Sequence, residues 1–220
     1  MLTSVYPNKC VQGHEYPLPD GIKTIADCFN AGGYDTFYLG KWHLDGAKEK
    51  EVPTNVHIVP RNRRGGFKKW IGYENNNSQY NVWLHGHIDH TEVPLFRLKG
   101  YETDGLTDRF IEYLDEKSKT CEPYFAVLSV QPPHEPNVAP PEFMAKYNPA
   151  KIKLRPNVPC SENFQKKVRR DLAGYYAQIE NFDYNIGRIL NHLIETGAYF
   201  NTHIIVFSDH GDCHGSNGHL

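Results

Sequence analysis

Apolar residues return at Ile22, Ile25, Ala26 and Phe29, the three-and-four spacing of one helical face, and Gly32-Gly33 closes the stretch. The spacing predicts a helix over 22–31. A short β-prone run from Asp35 to Leu39 then predicts a strand, out of which Gly40-Lys41-Trp42-His43 turns. The same alternation recurs twice. Phe110, Ile111 and Leu114 share one face of a helix predicted over 104–119, with Thr103 or Asp104 as its cap, and Tyr124 to Val130 predicts the strand after it. Leu172, Tyr175, Tyr176, Ile179, Phe182, Ile186, Ile189, Leu190 and Leu193 then mark a long helix over 161–195. Gly197 ends it and Ile204-Ile205-Val206-Phe207 reads as a third strand. Three helix-to-strand alternations predict an α/β fold with a largely parallel central sheet flanked by helices.

Chemistry gathers where these predicted strands end. The first ends in Lys41 and His43. The second runs into Gln131-Pro132-Pro133-His134-Glu135-Pro136, where prolines stop further pairing around one histidine. The third opens into Ser208-Asp209-His210-Gly211-Asp212-Cys213-His214, a carboxylate- and imidazole-rich loop that reads as a metal site at a strand end. Parallel strands would bring the three ends to one edge, setting cationic donors beside a metal pair. That set suits a substrate with a tetrahedral oxyanion, sulfate or phosphate. Each residue also has a bland reading. Lys41 alone is a solvated lysine, His43 a turn histidine, His134 a brace in a rigid loop and Asp209 a turn acid before glycine.

Between the first two units, residues 45–99 are rich in Asn, Gly, His and charge without a sustained period, and are expected to form a loop-rich, substrate-side insertion. His85, His87 and His90 are expected in polar loop there, and Arg61-Asn62-Arg63-Arg64 as a solvated patch.

Composition narrows the partners. A net charge of -2 over 220 residues supplies no basic field for nucleic acid. No apolar stretch reaches the roughly 20 residues needed to span a bilayer, and the first residues lack a signal peptide's apolar core. The five cysteines are scattered without paired spacing and are expected as free thiols.

The segment Gly33-Tyr34-Asp35-Thr36-Phe37-Tyr38-Leu39-Gly40-Lys41-Trp42-His43 closely resembles the G-Y-x-T-x-x-x-G-K-W-H signature of the type I sulfatases. Leu2 to Pro7, Gln131 to Pro136, Tyr176 to Leu190 and Phe207 to Asp212 resemble further segments of that family in the same order. The resemblance implies an alkaline phosphatase-like α/β sandwich, with residues 1–220 forming part of a single catalytic domain. It implies that Lys41 and His43 hold sulfate and nucleophile oxygens, and that His134 stands beside the ester oxygen. Asp209 matches an oxygen ligand of the family's Ca2+, and His210 would bind that metal or contact the nucleophile. The implied partner is a small-molecule or saccharide sulfate ester, with neither nucleic acid nor membrane.

The family's nucleophile is a hydrated formylglycine made from a C/S-x-P/A-x-R motif, which does not occur in these 220 residues. The resemblance places it upstream of Met1, together with an aspartate pair that supplies other metal ligands. The 220 residues are therefore expected not to turn over alone, whether as a truncated piece or a remnant. Asn217 stands where many members carry histidine. A metal-dependent phosphodiesterase or phosphomutase of the same superfold, or a catalytically dead sulfatase, are the alternatives.

Overall fold

The computed structural model describes residues 2–220, and the chain divides after Gln131 into two compact units. The first contains α1 (Pro7–Cys10), α2 (Ile25–Ala31), β1 (Asp35–Lys41), β2 (Lys69–Tyr73), β3 (Trp83–Ile88), β4 (Thr91–Arg97), α3 (Glu102–Ser118) and β5 (Tyr124–Ser129). Its sheet has the order β4-β3-β2-β1-β5.

Local chemistry sets the element ends. α2 starts three residues into the apolar stripe because Thr24 and Asp27 form a capping box: Ala26 N–H donates to Thr24 Oγ1 at 3.1 Å and Thr24 N–H to Asp27 Oδ2 at 2.8 Å. β1 is buried on both faces. Phe37 packs on Tyr113 of α3, with ring centroids 4.4 Å apart, while Tyr38 and Trp42 pack on Trp70 and Phe67 on the opposite face. Gly40 interrupts the strand with φ +113°, a conformation that L side chains rarely adopt. A Cβ there would stand 1.9 Å from the Ser129 carbonyl oxygen of β5, so only glycine permits this approach.

The sheet is mixed rather than largely parallel. β1 runs parallel to β2 and β5, but β2 with β3 and β3 with β4 pair antiparallel. The reversal after β3 is a two-residue turn, Asp89-His90, with Asp89 at φ 48°. Three of the five strands therefore lie within residues 45–99, where the sequence showed no sustained period; residues 45–68 are irregular apart from two short 3-10 turns. His85 and His87 are buried on β3 rather than in loop; only His90 is exposed.

Arg64 is likewise not solvated. It is 2% exposed, donates to the Val59 carbonyl at 3.0 Å, His87 Nδ1 at 2.9 Å and Glu92 Oε2 at 2.9 Å, and lies over the Trp70 ring. Arg63 donates to Asp20 Oδ1 at 2.7 Å and the Leu18 carbonyl at 3.0 Å. These are loop-closing arginines whose fixed forks match several acceptors at once.

The second unit is built on α4 (Pro141–Met144) and the 34-residue α5 (Glu162–Glu195). Two small cores cover α5: Ala139 and Phe143 on Ala177, and Val158 on Val168 and Leu172. Residues 204–207, predicted as a strand, are irregular, and Ile205 is 80% exposed. A strand needs a hydrogen-bonded neighbour, and the second unit has no strand among the described residues. Its α5 begins at Glu162, within a residue of the predicted start.

Candidate functional site

Lys41 is the last residue of β1 and is half-buried. The two parallel neighbours of β1 end beside it: Lys41 pairs with Tyr73 of β2, and Gly40 with Ser129 of β5. Register partners in a parallel pair project to the same face, so Lys41 and Tyr73 share the face covered by α3. The Tyr38 hydroxyl donates to the Lys41 carbonyl from the other side.

His43 follows at φ 51°, in the left-handed region that costs a non-glycine residue and is held only by its surroundings. The surroundings are visible. Trp42 N–H donates to the Tyr73 carbonyl and His43 N–H to the Glu74 carbonyl, both at 2.8 Å, carrying the β1–β2 ladder past the strand ends. The buried Glu74 carboxylate then accepts Asp45 N–H at 3.0 Å, Gly46 N–H at 2.8 Å and Ala47 N–H at 3.3 Å. Burial pushes the Glu74 carboxyl up and these backbone donors pull it back. The His43 ring meets the His14 ring edge-on, with centroids 5.1 Å apart.

Glu102 lies at the start of α3. Tyr73 Oη donates to its Oε1 at 2.6 Å and Gln131 N–H to the same oxygen at 2.9 Å. It is fully buried, and desolvation pushes it up to about 6, opposed by the Tyr73 and Gln131 donors and by the charge of Lys41.

In the second unit, His134 is half-buried and its Nδ1 lies 2.7 Å from the Glu135 carbonyl, which fixes the ring proton on that nitrogen. The loop is held by α5. Gln178 Nε2 donates to the carbonyls of His134 at 3.4 Å and Pro136 at 3.3 Å. Gly174 lets the Asn137 backbone rest on the helix, since a Cβ would stand 2.0 Å from its carbonyl oxygen.

Asp209 and His210 are exposed neighbours, with His210 N–H donating to Asp209 Oδ1 at 3.0 Å and His210 Nδ1 3.0 Å from the Gly211 carbonyl. His214 turns away to pack against Tyr175, ring centroids 4.1 Å apart, and burial pushes its pKa down. Asp209 is a hard oxygen donor of the kind calcium takes, but calcium needs six to eight oxygens. Among the described residues no group of three His, Cys, Asp or Glu side chains suited to a metal ion occurs. The residues present therefore make at most a part of such a shell. All five cysteines are free thiols, and among the described residues no helix is long and apolar enough to cross a membrane.

Lys41 and His43 belong to the first unit, and His134, Asp209 and His210 to the second. Two supporting residues, Glu74 and Glu102, carried no motif in the sequence, and Gln178 stood inside the Tyr176–Leu190 segment without an assigned role. The available signal was a carboxylate at a strand end, one at a helix start and an amide inside an apolar helical stripe.

The first unit is an α/β arrangement, a mixed sheet flanked by helices with a lysine and a histidine at the end of its parallel strand β1. The Sulfatase family model matches residues 1–220. The chain is 34% identical over 201 residues to an ulvan-active sulfatase of Formosa agariphila, an alignment covering 91% of this chain and 37% of that protein. It is 27% identical over 240 residues to an endo-4-O-sulfatase of Bacteroides thetaiotaomicron, covering 96% and 46%. Its backbone superposes on the solved structure of yidJ from Bacteroides fragilis with a TM-score of 0.86 at 25% identity, covering 99% of this chain and 52% of that one. The chain belongs to the sulfatase family, and spans about half the length or less of these relatives.

Proposed function

We propose that the protein containing this chain hydrolyses a sulfate ester carried by a saccharide, with Lys41, His43 and His134 as its contacts to the sulfate group. The observation that carries the reading is the fixed end of β1 in a chain of this family. There a half-buried lysine and a histidine held at positive φ stand two residues apart. A transferring sulfuryl group spreads negative charge over its outer oxygens, and cations fixed in advance stabilise that charge best. Lys41 would bind and orient those oxygens and His43 would share them. His134, with its proton fixed on Nδ1, would present Nε2 to the ester oxygen and, once protonated there, donate to the leaving group.

The family's formylglycine is proposed as the nucleophile of the protein; where present, it would supply the oxygen nucleophile toward sulfur. Calcium is proposed as the metal, with Asp209 as one oxygen ligand and His210 beside it. The names of the Formosa and Bacteroides relatives support a saccharide sulfate as the substrate, and the domain reading extends over residues 1–220.

Sulfate release from sulfated saccharides by the intact protein, measured by ion chromatography, tests the reading. Lys41→Ala is expected to lower kcat/KM by roughly 100-fold or more, as removal of one oxyanion donor does. Intact, metal-loaded protein that leaves sulfate esters untouched while cleaving phosphate esters would sink it.

A further inference from the structure

Lys41 lies at the centre of the carboxyl edge, and a lysine on a flexible four-carbon stem needs something to hold it. Strand alternation puts Lys41 and its register partner Tyr73 on the α3 face. Tyr73 Oη donates at 2.6 Å to Glu102, which the Gln131 N–H also holds at 2.9 Å. One carboxylate is therefore pinned between the ends of β2 and β5, on the face toward which β1 projects its lysine. Its second oxygen, Oε2, is buried and has no hydrogen-bond partner among the described residues. A buried carboxylate in that state is costly unless a positive charge faces it. The cation whose charge acts on Glu102 is Lys41.

We propose that Glu102 is the buried counter-charge that orients Lys41, and so a positioning residue for the reaction at this edge. This rests on the sulfatase reading for the reaction, but not for the pairing itself. Glu102 touches no substrate; it acts through Lys41. The groups facing it are Lys41 from β1, Tyr73 from β2 and the Gln131 backbone after β5, so it has one titrating basic neighbour among them. Because burial pushes Glu102 up to about 6, its ionisation falls inside the working range of an enzyme assay.

Two readouts test the proposal in the intact protein. After reductive 13C-methylation, the Lys41 dimethylamine signal, assigned by its loss in Lys41→Met, should step with a midpoint near pH 6 in the parent protein and lose that step in Glu102→Gln. In kinetics, Glu102→Gln should lower kcat by roughly ten- to hundred-fold, as a slightly misplaced group does. It should also erase the part of the acid limb that centres near pH 6. Should Glu102→Gln fail to fold, Tyr73→Phe serves in its place: it keeps the carboxylate, removes its best donor and should move the Lys41 step to higher pH. A Lys41 signal without a step, a step that survives Glu102→Gln, or unchanged kinetics in that variant would overturn the proposal. A step that behaves as expected in a protein that cleaves no sulfate ester would leave the pairing standing and remove only the sulfatase reading.

Discussion

Glu74 accepts the backbone N–H of Gly46 at 2.8 Å, and with it the turn after His43 is tied to the end of β2. The same carboxylate takes the N–H groups of Asp45 and Ala47. Three donors that a turn would otherwise show to water are thereby satisfied by one side chain. His43 keeps its left-handed backbone because the residues on both sides of it are fixed.

Glu74→Ala should then cost about 1–3 kcal/mol in urea unfolding, since the buried Ala47 N–H loses its acceptor while the half-buried Asp45 and Gly46 N–H groups can turn to water. Glu74→Gln keeps one acceptor oxygen and should lose less. Activity should fall in the same order, because relaxation of the turn releases His43. Variants that both unfold with the parent would show that the turn does not depend on this carboxylate.

Gly40 is the residue of the G-K-W-H segment with no functional group, and it is the least replaceable. Gly40→Ala would set a methyl 1.9 Å from the Ser129 carbonyl oxygen and force φ +113° on an L residue. Both faults break the β1–β5 pairing. Destabilisation beyond about 4 kcal/mol, or failure to fold, is expected. Circular dichroism and soluble yield read it. A folded, active Gly40→Ala protein would mean that β5 can shift without harm.

The His134 loop depends on α5 in a comparable way. Gly174→Ala would place a Cβ 2.0 Å from the Asn137 carbonyl oxygen, and Gln178→Ala removes the donor to the His134 and Pro136 carbonyls. Hydrogen exchange over residues 132–138 should speed up in both variants, while α3 and β1–β5 keep their protection. Catalysis should fall through kcat rather than KM, as His134 contacts the leaving group in the proposed reaction. Unchanged exchange in Gly174→Ala would remove the helix from the account of this loop.

The sequence carried α5, α3, β1 and β5 plainly, because each buries a stripe or run long enough to show its period: α5 at Leu172 and Ala177, β1 at Phe37 and Leu39. It hid the β3–β4 hairpin. Leu84, His85 and His87 of β3 are buried, and histidines in a polar stretch read as loop until their partners are known. It overstated residues 204–207, whose apolar composition needs a neighbouring strand to become structure. For the candidate site, motif spacing singled out Lys41, His43 and His134. Glu74 and Glu102 were not legible, and the role of Gln178 within its segment was not, because a buried carboxylate or amide is recognised by what surrounds it, and that arises only from tertiary contacts.

His85 turns one of those hidden histidines into a pH prediction. Its Nε2 accepts Val59 N–H at 2.9 Å, so the ring is neutral with its proton on a buried Nδ1. Desolvation first, then the charges of Arg64 and His57, push its pKa down to about 4, against about 6.5 in the unfolded chain. The unfolded state therefore binds the extra proton first. Stability from His85 is complete above pH 6.5 and is lost as pH falls toward 4, by roughly 3 kcal/mol in total. Glu102 works in the opposite sense, since its raised pKa lets the folded state take a proton first between about 4.5 and 6. Total stability thus mixes the two, and the difference between parent and variant separates them. His85→Gln offers an amide oxygen to Val59 N–H without an ionisation. Parent stability minus that of His85→Gln, read from urea midpoints, should fall by roughly 3 kcal/mol as pH drops from 7 to 4. A difference that stays flat over that window would mean that His85 takes up its proton in the folded protein as readily as in the unfolded chain.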